Sequence, residues 1–255
     1  MILTSITALE NNYIWILYDK NNSCIIIDPG VSKIVIKKIV KKKWKPKAIL
    51  LTHHHQDHIG GVKNILKIYP KIIVFGPQET KKFNVHKIIQ GGDTIHLLEK
   101  DIDIISTPGH TLGHISYYLK PYLFCGDTIF SAGCGKVFQN NYISMYNSIQ
   151  LIKSFPGNTI LCCSHEYTLS NLNFSMYCLP KDKNIKYYYK KVQKKIFLRK
   201  NIFPFYLNNE KKINIFLRTN ECFLKKTMGF KKNKDDFEVF CYLRKNKDIF
   251  GAKRD

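Results

Sequence analysis

Along the first two thirds of the chain, short apolar runs alternate with turn residues and with stretches of helical spacing. Residues 14–19 and 24–28 read as two strands joined through Lys20-Asn21-Asn22, and Asp28-Pro29-Gly30 ends the second with turn chemistry. Residues 31–43 place Val31, Ile34, Val35 and Ile39 at helical spacing. A buried strand is predicted over 48–52, a helix over 59–69 and a strand over 72–75. Further strands are predicted over 102–107, 115–119, 122–125 and 159–164, with a helix over 143–155 between the last two. Strands mixed with helices, hairpins among them, predict sheets covered by helices on their outer faces.

After about Cys178 the texture becomes basic and helical, over 183–201, 213–217 and 237–243. A catalytic domain over 1–170 followed by a small helical domain over 171–255 is the expected division. At 255 residues the chain is long enough for this plan, and 44% hydrophobic content is ordinary for a globular protein.

The net charge of +22 changes the picture less than its size suggests. The lysines are scattered, and Lys, Ile and Asn, which share AT-rich codons, recur throughout. The charge is therefore read as compositional bias, with no nucleic-acid partner. None of the eight cysteines forms a C-x-x-C pair, and most sit in apolar runs, which predicts reduced thiols in a cytoplasmic protein. The first eleven residues have no basic or long apolar leader segment, and no run approaches the ~20 apolar residues that span a bilayer. No membrane partner is expected.

Candidate chemistry is concentrated in Thr52-His53-His54-His55-Gln56-Asp57-His58, directly after a predicted strand. His53 and His55 are two apart, so in an extended segment they point the same way. Asp57 and His58 fall where the loop turns into a helix and can face a second point. His110, Asp127 and His165 each follow a predicted strand end, where loops place functional groups on a rigid scaffold. Imidazole and carboxylate donors suit zinc, iron or manganese. His54 and His114 fall out of phase and are read as supporting residues, and His86 and His96 as surface residues.

The pattern His53-x-His55-x-Asp57-His58, followed by His110, Asp127 and His165, resembles the metallo-β-lactamase superfamily. Gly126-Asp127-Thr128-Ile129-Phe130, Ala132-Gly133-Cys134-Gly135-Lys136 and Ser164-His165-Glu166-Tyr167-Thr168 with Asn171 are similar to the hydroxyacylglutathione hydrolase (glyoxalase II) family. So are Asn209-Glu210, Asn214-x-Phe216-x-Arg218 and the ending Leu243-Arg244-Lys245-Asn246-Lys247-Asp248. The resemblance covers nearly the whole chain. It implies an αββα sandwich with a small C-terminal helical domain that contributes to a glutathione site.

It also implies two divalent ions, zinc foremost with iron or manganese open. One would be held by His53, His55 and His110, the other by Asp57, His58 and His165, with Asp127 bridging. Asp57 and Asp127 would be the catalytic carboxylates. Lys136, Arg244 and Lys247 would grip the glutathione part, and Tyr167 would donate a hydrogen bond. Phe138 stands where some members have tyrosine. The implied reaction is hydrolysis of S-(2-hydroxyacyl)glutathione, typically S-D-lactoylglutathione, to a 2-hydroxy acid and glutathione by a metal-bridging hydroxide. It would be the second step of methylglyoxal detoxification, carried out by a monomer on a small-molecule thioester. The rivals are a glutathione persulfide dioxygenase with a single iron, and a basic metal-free nucleic-acid-binding protein on the same fold.

Overall fold

The computed structural model describes residues 1–252. The expected helical domain runs to 255, and its last three residues lie outside those described. The first sheet holds β1 (Ile2–Ala8), β2 (Asn12–Tyr18), β3 (Ser23–Ile27), β4 (Lys45–Leu50), β5 (Ile73–Gly76) and β6 (Lys87–Ile88), in that spatial order. The first three strands are antiparallel and the rest parallel. Parallel pairs need crossovers. Helix α1 (Ser32–Lys42) supplies one, and α2 (Gln56–Ile59) with α3 (Val62–Ile68) another. The predicted helix over 59–69 thus starts earlier and is split at Gly60-Gly61, so Asp57 and His58 stand on a helical turn.

The second sheet is a meander of β7 (Thr94–Leu97), β8 (Lys100–Ser106), β9 (Ile115–Leu119) and β10 (Tyr122–Gly126). It continues through the parallel β13 (Ile160–Cys163) to the antiparallel β14 (Phe205–Tyr206). Helix α4 (Tyr142–Ser154) makes the β10-to-β13 crossover, after a small hairpin of β11 (Ile129–Phe130) and β12 (Gly133–Cys134).

Alternation along the central strands explains why they read as continuous apolar runs. In β2, Tyr13, Trp15 and Leu17 join the core between the sheets, whereas Ile14 and Ile16 join a second cluster under α1 and α3. In β4, Ala48 and Leu50 face one way and Ile49 the other, joined by Leu51 just past the strand. A strand buried on both faces cannot show a polar alternate position. Burying each such aliphatic side chain contributes about 1.5–3 kcal/mol.

The chain then runs through α5 (Thr168–Cys178), α6 (Lys183–Phe197), α7 (Leu207–Ile213), a 3-10 turn at Ile215–Leu217, α8 (Cys222–Thr227) and α9 (Asp236–Ala252). The predicted helix over 213–217 is this 3-10 turn, which begins after Asn214 accepts a hydrogen bond from Phe216 N–H. Phe174, Phe216 and Phe240 from these helices share the inter-sheet core cluster, so helices and sandwich bury one continuous interior. All eight cysteines are free thiols, six of them buried. Among the described residues, no helix is long and apolar enough to cross a membrane.

Candidate metal centre

Four strand ends converge at one edge of the sandwich. Strand β4 of the first sheet leads into His53–His58, and β8, β10 and β13 of the second lead to His110, Asp127 and His165. The edge is tied across the sheets by Tyr117 Oη, which donates to the Leu51 carbonyl at 2.7 Å, and by Ile115 N–H, which donates to the Thr52 carbonyl at 3.0 Å. Both contacts place the His53 loop against the second sheet.

Two groups of ligand atoms result, His53–His55–His110–Asp127 and Asp57–His58–His165, each within 4.8 Å of one another. In the first, His55 Nδ1 lies 3.0 Å from His53 Nε2 and 2.9 Å from His110 Nε2. In the second, His165 Nε2 lies 3.3 Å and His58 Nε2 3.5 Å from Asp57 Oδ2. Asp127 faces both. Its Oδ2 is 3.2 Å from His110 Nε2, and its Oδ1 is 3.5 Å from His58 Nε2 and 3.4 Å from His165 Nε2. Donors bound tetrahedrally at 2.0–2.1 Å from an ion stand about 3.3 Å apart, so this spacing fits.

The local chemistry fits cations as well. His58 Nε2 is fully buried with no hydrogen-bond partner among the described residues, a costly state unless a ligand uses that lone pair. Burial disfavours charge on His58, but Asp127 and Asp28 outweigh it and hold the imidazole well above its ordinary pKa. Burial likewise opposes charge on His165, and hydrogen bonds to Asp127 and Asp57 still lift it to about 9. Burial pushes Asp127 up, yet His58, His110 and His165 keep it well below the usual carboxylate range. The carboxylates therefore call for positive charge at this point.

Supporting groups aim the ligands. Asp28 Oδ2 faces His58 Nδ1 at 3.0 Å and accepts from Thr52 Oγ1 at 2.7 Å, while Oδ1 accepts from Thr52 N–H at 2.8 Å. His53 Nδ1 is held by Thr52 Oγ1 at 3.0 Å, and His110 Nδ1 donates to the Lys136 carbonyl at 2.8 Å. His114 lies outside both groups. Its Nε2 accepts from Asp127 N–H at 3.2 Å, which makes it a support for the residue that faces both groups. His54 is exposed and pairs with Glu79, which also accepts from Thr111 Oγ1 and Gly113 N–H at 2.7 Å each. Glu79 so ties the His53 loop to the His110 loop. His86 and His96 are exposed, as expected.

Close approach explains one glycine. A Cβ on Gly30 would stand 1.8 Å from the Asp57 carbonyl oxygen. The turn after β3 packs directly under the ligand-bearing helical turn.

A cavity of about 480 Å³ opens over the first group, lined by His55, His110, Thr111, Leu112, Phe138 and Asn141 among others. The Phe138 ring stands 5.7 Å from His55 and 5.4 Å from His110, with Lys136 Nζ 5.4 Å over its face. Tyr167 stacks on His165 at 4.9 Å, and burial with the nearby Asp127 and Asp57 raises its hydroxyl to about 12, so it stays a donor. Arg244 and Lys247 are placed differently. Arg244 is buried, pairs with Asp248 at 2.5 Å and donates to the Cys134 carbonyl at 3.2 Å. Lys247 Nζ donates to the Ser170 carbonyl at 3.2 Å and lies over the Phe174 ring.

The tail also grips the loop that carries Lys136. Asn214 donates to the carbonyls of Phe130 and Gly133, and Asn171 to that of Ser131. Fully buried Glu210 accepts from Ser131 Oγ and Ala132 N–H at 2.7 Å each. Burial raises Glu210 from 4.5 to about 7. The folded chain therefore keeps a proton that the unfolded chain releases between those values. This contribution to stability is full below pH ~4.5 and is lost as pH rises through ~7, on the order of 3 kcal/mol in all. Denaturant titrations of wild type and Glu210→Gln from pH 4.5 to 8 should show wild type losing that amount relative to the variant. Parallel curves would refute the shift.

A model of the metallo-beta-lactamase superfamily matches residues 8–165, and a model of the hydroxyacylglutathione hydrolase C-terminus matches residues 166–250. The hydroxyacylglutathione hydrolase of Buchnera aphidicola subsp. Schizaphis graminum is 64% identical over 250 residues, 98% of this chain and 100% of that protein. That of Buchnera aphidicola subsp. Acyrthosiphon pisum is 55% identical over the same shares. Among solved structures, ETHE1 from Myxococcus xanthus aligns with a TM-score of 0.66 at 19% identity, covering 96% of this chain and 91% of that one, a likeness of fold.

Proposed function

From the premise that this chain belongs to the hydroxyacylglutathione hydrolase family of the metallo-β-lactamase superfamily, we propose how its own residues carry out that family's reaction. The chain is a metal-dependent hydrolase of S-(2-hydroxyacyl)glutathione thioesters. The observation that carries the residue assignment is Asp127, whose two carboxylate oxygens face two separate ligand groups.

His53, His55 and His110 would hold one ion, Asp57, His58 and His165 the other, with Asp127 between them. When bound, such ions act as Lewis acids, lowering the pKa of water to about 7 and polarising the thioester carbonyl. The protein's part is to hold the donors still. Asp28, Thr52 and the Lys136 carbonyl fix the ring orientations of His58, His53 and His110. Phe138 lines the cavity beside the first group, and Lys136 next to it would meet a glutathione carboxylate. Tyr167 would donate to the substrate. Arg244 would act through the Cys134 backbone that it holds, and Lys247 from the α5–α9 contact. The leaving thiol, with a pKa of about 8–9, departs without a strong general acid.

S-D-lactoylglutathione is the substrate we propose, and zinc the occupant, since the all-nitrogen-and-oxygen donor set suits it; iron and manganese share that chemistry. We further propose a cytoplasmic monomer with its catalytic part over 1–170 and a helical part from 171 that supports the glutathione site. Eight free thiols agree with a reducing compartment. A single-iron persulfide dioxygenase would need the first ligand group alone, and the complete second group favours two ions.

Purified protein should release thiol from S-D-lactoylglutathione, and exhaustive treatment with a chelator should bring the rate to background, with recovery on adding zinc. Metal-replete protein that leaves this thioester intact would remove the substrate assignment. Persulfide oxidation would then be the next assay.

A further inference from the structure

The turn of the N-terminal hairpin reaches two members of the second ligand group, Asp57 and His165. Strands β1 and β2 pair from Ile2–Tyr18 to Ala8–Asn12, so the ribbon ends in a turn around Leu9, Glu10 and Asn11. Backbone bonds sew this turn to the segment that carries His165. Tyr13 N–H donates to the Ser164 carbonyl at 2.7 Å, and Glu166 N–H donates to the Asn11 carbonyl at 2.8 Å. Asn12 and His165 form an antiparallel bridge, and Tyr13 Oη donates to Glu166 Oε2 at 2.5 Å.

Two side chains of this turn reach ligands. Asn12 Nδ2 donates to Asp57 Oδ2 at 2.9 Å, the oxygen that also faces His58 and His165. Asn11 Oδ1 stands 3.1 Å from His165 Nδ1. The Asp57 side chain is 36% exposed, against 1% for His58 and 6% for His165, so it is the member of its group most free to turn towards water. A carboxylate oxygen has two lone pairs. The Asn12 amide occupies one and leaves the other directed into the group. Asn11 accepts the Nδ1 proton of His165 and so leaves Nε2 as the free lone pair. In the first ligand group the rings of His53 and His110 are fixed instead by Thr52 and the Lys136 carbonyl.

We propose that Asn11 and Asn12 are positioning residues for the second metal position alone, so that the hairpin turn decides whether the chain carries one ion or two. This rests on the two-ion reading above. Both side chains are neutral, so they orient the ligands without adding charge that would strengthen binding by itself.

The test is zinc content per chain, by elemental analysis after dialysis, together with competition titrations against a chromophoric chelator. Wild type should take up two ions. Asn11→Ala and Asn12→Ala should weaken the second by about 10–100-fold and leave the first unchanged, the usual scale for losing a group that orients a ligand. Asn11→Gln, which keeps a neutral acceptor oxygen, should restore the second ion. If Asn12→Ala does not fold, the Asn11→Ala and Asn11→Gln pair carries the test. Two ions with unchanged affinities in the alanine variants, or equal weakening of both ions, overturns the proposal alone. A single ion in wild type overturns the two-ion reading and the proposal with it.

Discussion

Asp127→Ala should lower turnover of S-D-lactoylglutathione by about 10²–10³-fold, the scale of losing one electrostatic stabiliser of a reacting carbonyl. The reason is positional. Asp127 is the residue whose oxygens reach both ligand groups, and Ser164 Oγ and the His114–backbone contact hold it in place. Without it, buried His58 and His165 lose the carboxylate that balances a cation between them. Elemental analysis should show less than two ions per chain, and circular dichroism a retained fold. A variant with near-normal turnover would remove Asp127 from the centre. Asp127→Asn is the sharper variant, because it keeps the shape and removes the charge.

Arg218→Ala should cost about 3–5 kcal/mol of stability, the usual consequence of stripping the partner from a buried carboxylate. The Arg218 guanidinium binds Asp182 Oδ2 at 2.7 Å, Glu221 through Nε and Nη2, and the Lys212 carbonyl at 2.8 Å. Asp182 is itself buried and caps α6 by accepting from Ile185 N–H. One planar fork thus joins the starts of α6 and α8 to the end of α7. Lysine could not replace it, since it lacks that geometry. Thermal melts of the single variant and of Arg218→Met with Asp182→Asn, which keeps the α6 cap, should differ, with the pair recovering part of the loss because the buried carboxylate charge of Asp182 is gone. A single variant as stable as wild type would show the cluster to be idle.

The two groups of candidate ligands were legible because chemistry that needs several donors leaves them at strand ends, and His53, His55, Asp57 and His58 sit together in the sequence. Their supports were not. Asp28 looks like a turn residue beside Pro29 and Gly30, and only the fold brings it under His58. Glu79 lies in a polar stretch that shows its three contacts only once the His53 and His110 loops meet. Asn11 and Asn12 belong to no motif, and only the fold brings them to His165 and Asp57.

The sandwich was readable from strands buried on both faces. Strand β1 was missed because its residues are mostly half-exposed and carry Thr and Ser. Helix α5 was missed for the opposite reason. It buries Thr168, Asn171 and Ser175 beside Leu172 and Phe174, so polar letters occupy its inward face. Asn171 is there to hold the Ser131 carbonyl, and a local constraint of that kind overrides apolar periodicity.

The buried thiols bear on a hazard peculiar to this substrate. A thioester is an acyl donor, and any thiolate within reach could take the acyl group onto itself. Cys134 stands in β12, between Asp127 and Lys136 in sequence, and neighbouring Arg244 would favour its thiolate. Burial wins and pushes the thiol up to about 11, and it also holds Cys125, Cys162 and Cys163 well above their ordinary value. At neutral pH roughly one Cys134 in ten thousand is then a thiolate. Depth thus keeps the thiols nearest the site poor acceptors for the activated acyl group, whereas Cys222, which is exposed, lies on the remote α8.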